Sequence, residues 1–144
     1  MIRVQVRVGG AMDLLTALRR RLEAPGELLA NAVPVVAGAI EKNFDAEGRP
    51  LRWPPLAPAT LRRKPPGLRI LERTGRLRRS ISPRIEGGAL LASTRVPYAA
   101  AHQRGVPGRL PARPFLALTP GDVAEVEQSV AATLADTRRG TPHQ

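Results

Sequence analysis

The chain has 144 residues, 23 basic and 12 acidic side chains, a formal net charge of +11 and no cysteine. That length suits a single domain with one ordinary core, and the missing cysteine excludes a disulfide scaffold or a thiolate metal site. Phe44, Trp53, Tyr98 and Phe115 are the full aromatic set, which weighs against a base-stacking nucleic-acid module.

Ile2, Val4, Val6 and Val8 alternate with Arg3, Gln5 and Arg7, the pattern of a half-buried strand that Gly9-Gly10 ends. Such alternation is not the continuous apolar run of a secretory signal. Asp13 is placed to cap a helix with Leu15, Leu18 and Leu22 on one face, stopped by Pro25-Gly26. In a second helix Leu29, Val33, Val36, Ile40 and Phe44 recur at spacings of four, three, four and four. Pro34 lies in that stripe and either kinks the helix or marks its first turn. The longest apolar stretch, Leu28 to Ile40, is broken by Asn31, Pro34 and Gly38 and is too short to span a bilayer. The expectation is a soluble intracellular protein with no membrane partner.

From Gly48 to Arg73 the periodicity dissolves among six prolines, and a helical turn from Ala59 to Lys64 is the most that segment supports. The charge is concentrated here. Between Arg49 and Arg84 eleven basic residues face one acid, Glu72, so that stretch holds +10 of the +11. A charge run of this kind is a solvated loop, or it attracts phosphate or an acidic protein surface. Arg62, Arg63, Lys64, Arg76, Arg78 and Arg79 are the candidate cations. Trp53 is either an exposed interface anchor, with Leu56, or part of a lid packed on the domain's own core. With so little apolar material the segment is expected to be mobile in a free monomer and ordered on assembly.

Thr74 can cap a short helix through Leu77, with Gly75 and Arg76 in its first turn. Ser80 to Glu86 and Ala89 to Val96 form a hairpin about Gly87-Gly88, with Pro83 marking either an edge strand or a strand start. Tyr98 to Gln103 forms one helical turn before the loop from Gly105 to Pro111. Phe115 to Leu118 is a short apolar run that reads as a strand. Thr119 caps the last helix, with Pro120 at its first position, Asp122 in its first turn and a stripe of Val123, Val126, Val130 and Leu134. Arg138 and Arg139 suit its negative end. The order predicts an α+β fold: a small, mainly antiparallel sheet covered on one face by helices. Residues 1–140 make one domain with 48–73 as an extended basic loop, and 141–144 are a flexible tail.

Catalytic patterns are missing. Ser80, Ser82, Ser93 and Ser129 sit in no nucleophile elbow. No phosphate-binding glycine loop ends in Lys-Ser or Lys-Thr, and Gly9-Gly10 lacks the third glycine of a dinucleotide fingerprint. His102 and His143 are too far apart to suggest a zinc site. Glu41, Asp45 and Glu47 read as solvated surface, and a lone His102 reads as packed or surface rather than as a general base. Neither an enzyme nor a cofactor is expected.

Four fragments carry a likeness. They are Trp53-Pro54-Pro55-Leu56 with Thr60 and Lys64, then Leu71 to Ile81 with Thr74, Gly75 and Leu77. Val96 to Gly105 follows, with Tyr98 and His102, and finally Pro111 to Leu116 with Arg113 and Phe115. In this order and spacing the set resembles the virion morphogenesis, or tail completion, family of tailed bacteriophages and prophages. The resemblance implies a ring-forming structural protein, typically a hexamer, that caps the tail tube or joins it to the neck. It implies tail tube and neck or connector proteins as partners, a place in the virion after assembly in the host cytoplasm, contact with channel DNA as an open question, and no catalytic residues. Within it Arg113, aimed by Pro111 and Pro114, is expected to fix the loop or bind the adjacent subunit. The competing reading is a small basic nucleic-acid-binding module held by phosphate contacts alone.

Overall fold

A computed structural model describes residues 2–6 and 25–139. The expected helix after Asp13, His143 and the expected tail lie outside the described residues. The elements are β1 (Ile2–Val6), α1 (Pro25–Ala30), α2 (Val33–Asp45), α3 (Pro58–Arg63) and α4 (Arg76–Ser80). They continue with β2 (Ser82–Glu86), β3 (Ala89–Thr94), α5 (Ala99–Arg104) and α6 (Pro120–Arg139).

The sheet is antiparallel in the order β1-β3-β2. β3 is central because the tight turn folds it back on β2, with Glu86 opposite Ala89. Gly87 and Gly88 both have positive φ, 58° and 74°, as the mirror-image two-residue hairpin turn requires. β1 then closes the free edge of β3, with Ile2 opposite Thr94 and Val6 opposite Leu90. α1 and α2 pack on the sheet, and α6 packs on α1 and α2. The α+β architecture expected from the pattern is the one observed.

Pro34 sits in the first turn of α2 and does not kink it. The long apolar stripe is instead shared by two helices, broken at Asn31-Ala32. Leu29, Ala32, Val36, Ile40 and Phe44 are all buried along it. Phe44 is the centre of the core. Its ring meets Trp53 edge-on at 5.6 Å and Phe115 at 5.9 Å. α6 supplies Val126, Val130 and Leu134 from one face. Its start is capped as the sequence indicates: the Thr119 N–H donates to Asp122 Oδ2 at 2.8 Å, and the Asp122 N–H donates to Thr119 Oγ1 at 3.2 Å.

The expected strand at Phe115–Leu118 does not form; this stretch pairs with no strand. Side chains take the place of a neighbouring strand. Gln103 Oε1 accepts from the Phe115 and Leu116 N–H groups, both at 3.0 Å, and Gln103 Nε2 donates to the Leu116 carbonyl at 3.2 Å. On the other side Asn43 Nδ2 donates to the carbonyls of Phe115 at 2.9 Å and Ala117 at 2.8 Å. The backbone groups are satisfied, as burial demands, without a ladder.

Phe115 is fully buried in this arrangement. Phe115→Ala should lower stability by roughly 3–5 kcal/mol, as truncation of a buried Phe does, measured by urea unfolding.

Candidate functional site

The four sequence fragments converge on one cleft of about 770 Å³. α3 forms one wall, the 71–77 segment a second, and α5 with residues 109–113 the third. Leu56, Leu71, Leu77, Tyr98 and Leu110 supply its apolar lining. Lys64, Arg73, Arg76 and Arg109 supply charge, and no carboxylate lines it. A smaller depression of about 610 Å³ adjoins it, sharing Thr60, Lys64, Arg73 and Thr74 and adding Arg63. Among the described residues Lys64, Arg73, Arg76 and Arg109 make no ion pair. They belong to the unpaired part of the basic excess, together with Arg62 and Arg63 on α3.

The wall formed by α3 depends on what lies before it. Trp53 is 5% exposed, and its Nε1 donates to the Pro114 carbonyl at 2.9 Å. Arg113 is 4% exposed; its Nε and Nη2 donate to the carbonyls of Pro54 and Pro55, each at 2.9 Å. Prolines lend themselves to this, since each keeps a free carbonyl while lacking an N–H. Burial pulls the Arg113 guanidinium below its ordinary pKa. Of the two alternatives for Trp53, the lid on the domain's own core is the one observed. Trp53 and Arg113 therefore belong inside the subunit and are not surface contacts for a neighbour. The 48–73 segment is correspondingly held at both ends. At its far end Arg69 Nη2 donates to the Asp45 carbonyl at 2.6 Å, and the Ile70 N–H donates to Glu47 Oε2 at 3.1 Å. Between these ends α3 has no buried side chain.

Other cations of the run are satisfied internally. Arg78 lies over the Phe44 ring and reaches three acids, Glu41, Asp45 and Glu72. Hydrogen bonds to Glu41 and Glu72 drive its pKa up. This removes Arg78 from the free surface, because three carboxylates already surround it. Arg49 grips Asp122 with two hydrogen bonds, at 2.9 and 3.2 Å, and also donates to Asn43 and the Ala39 carbonyl. Burial pushes the Asp122 carboxyl up, but Thr119 and Arg49 outweigh it and the net shift is down. Arg79 Nη2 donates to the Thr74 carbonyl at 2.9 Å. Arg62 and Arg63 are exposed on α3.

The remaining motif residues build the cleft. Thr74 Oγ1 accepts from the Arg76 N–H at 3.3 Å, and Gly75 precedes α4 in the left-handed conformation. Leu77 is buried and Ile81 packs on the core. Gly105 ends α5 at φ 75°, where a Cβ would meet the Ala112 nitrogen at 2.7 Å. Tyr98 stands edge-on to His102 at 5.9 Å. His102 Nδ1 is buried without a hydrogen-bond partner. Burial, then Arg113 and Lys64, hold the imidazole below its ordinary pKa, so it is neutral.

Sequence reasoning passed over Asn43, Gln103, Arg49 and Arg109. Asn43 left a usable signal: a polar residue three positions after Ile40, on the apolar face of α2. Arg109 left none, since only the return of its loop beside α3 brings it to the cleft.

A small α+β domain presenting one basic cleft, with no group of three metal-ligating side chains among the described residues, has the features of a binding or assembly module. Residues 5–135 match the phage virion morphogenesis family, and the chain belongs to that family. A curated relative, Mu-like prophage FluMu G protein 2 of Haemophilus influenzae, is 30% identical over 136 residues, covering 88% of this chain and 93% of the relative. No solved structure matches. The role is thus in phage particle morphogenesis, a class that is not enzymatic. No described helix is long and apolar enough to cross a membrane.

Arg113→Ala should lower stability by about 1.5–3 kcal/mol, the range for hydrogen bonds to a charged group. Because Trp53 is the single tryptophan, the same variant should red-shift its emission as the lid loosens. His102 gives a pH dependence. Its folded pKa is depressed, so its contribution is complete above the unfolded value and is lost as pH falls. Wild type should therefore lose stability as pH falls below the ordinary histidine pKa of about 6.5, and His102→Gln should flatten that slope in thermal unfolding.

Proposed function

We propose that the chain is a structural subunit that assembles into a hexameric ring at the tail–neck junction of a tailed phage or prophage. There it completes the tail and joins it to the head. The observation that carries this reading is the convergence of the four family-like fragments on one basic cleft at the surface. A catalytic protein concentrates its characteristic residues around reacting groups, whereas here they shape and charge a docking surface. Ring subunits need such surfaces, because closed rings use heterologous contacts. Its partners are further copies of itself, the tail tube and the neck proteins.

Four unpaired cations in a cleft without acids also favour a second reading, phosphate contact with duplex DNA. Salt-sensitive duplex binding by the isolated monomer would support it.

Light scattering and negative-stain electron microscopy of the purified chain should show a closed ring. Deleting its gene from an inducible prophage should leave separate heads and tails, restored to complete particles by supplying the gene in trans. Complete particles without the gene would overturn the joining role.

A further inference from the structure

Resting on the ring reading, we infer that the basic cleft receives the acidic outer face of α6 from a second copy of this chain.

The cleft side of the contact is a surface lacking its counterpart. Among the described residues Lys64, Arg73, Arg76 and Arg109 line it without a carboxylate, and none of them is ion-paired. Like charges gathered at one cleft repel each other and are stabilised by opposite charge brought close. One wall is equally short of contacts. α3 is six residues long with no buried side chain, and Leu61 on it, outside the cleft lining, is 57% exposed. A helix that short gains little from its own hydrogen bonds, and apolar packing is what ordinarily holds one in place. Tyr98, 42% exposed at the opposite wall, is a further uncovered apolar surface.

The occupant is supplied by the chain's own leftover acids. Most carboxylates are satisfied: Glu41, Asp45 and Glu72 by Arg78, Asp122 by Arg49, and Glu86 by Arg84. Glu27, Glu125, Glu127 and Asp136 have no ion pair among the described residues; all four are exposed, and the last three lie on α6. Glu125, Gln128, Ala132 and Asp136 recur at spacings of three, four and four, all exposed. They form one solvent-facing stripe about 16 Å long, with a carboxylate at each end and a flat middle. Its opposite face, Val126, Val130 and Leu134, is the one in the core.

The two surfaces cannot meet within one subunit. α6 packs on α1 and α2, and the cleft draws no lining residue from any of these three helices. A chain carrying two separate, oppositely charged patches is equipped for head-to-tail association, which closes into a ring when the rotation allows. The charges select the neighbour and set its register, and uncovered Tyr98 supplies apolar area once they are in place.

Charge exchange tests this at exposed positions. Arg73→Glu with Arg76→Glu should abolish the oligomer seen by light scattering, and so should Glu125→Lys with Asp136→Lys. Circular dichroism should match wild type in both. Combining all four substitutions in one chain should restore the oligomer, and so should mixing the two reversed proteins, since each then offers what the other lacks. If either reversal leaves the wild-type oligomer intact, the contact is wrong while the ring stands. If both abolish it and neither the combination nor the mixture restores it, the pairing with α6 is overturned and the cleft receives another acidic surface or DNA. A wild-type chain that stays monomeric at every concentration and salt overturns the contact and the ring together.

Discussion

The carbonyl oxygens of Pro54 and Pro55 hold the Arg113 guanidinium inside the domain, and the basic cleft exists because they do. A guanidinium out of water needs acceptors in fixed positions. A proline pair offers them without competing N–H donors. In return, the arginine fastens a proline-rich segment that has little apolar material of its own. Trp53 adds an apolar plug beside it, bonded to the Pro114 carbonyl next to Arg113. Everything beyond this point follows from that attachment. α3 is carried to the rim, Lys64 faces the same space as Arg73 and Arg109, and His102 lies beneath with a neutral ring.

A second constraint is the stretch from Arg113 to Ala117, which has the hydrogen-bonding needs of a strand and no strand beside it. Asn43 and Gln103 serve it from two helices. Arg49 then ties Asn43 to Asp122 at the start of α6. One polar chain therefore links α2, the proline-rich segment, the Phe115 backbone and the last helix. Buried polar networks are stabilising only when every member is satisfied, so this one also specifies the packing. It explains how a domain with a three-stranded sheet keeps long connections in order.

What could be read from the sequence was local. β1, the Gly87-Gly88 hairpin, Pro34 at the head of α2 and the Thr119–Asp122 cap each declare themselves within a few residues, because their causes lie within a few residues. What could not be read depends on partners far along the chain. The charge of Arg78 is cancelled by Glu41 and Asp45, more than thirty positions earlier. Phe115–Leu118 has strand composition, and only the reach of Asn43 from 72 residues away shows why no strand is needed. Most residues of the cleft, Arg109 and Leu110 apart, were visible as separate fragments; that they surround one space is a property of the fold. Trp53 illustrates the limit, since flanking arginine and proline suit exposure while the Phe44 ring decides burial.

Because α3 buries none of its side chains, folding places almost no demand on its sequence. Substitution there alters what the rim presents and leaves the core as it was. The floor of the cleft shares Leu77 and Arg113 with the scaffold and is held back by it; the α3 rim is separable. A lineage could therefore change the partners its particles accept by drifting through six residues, while the domain underneath continued to fold unchanged.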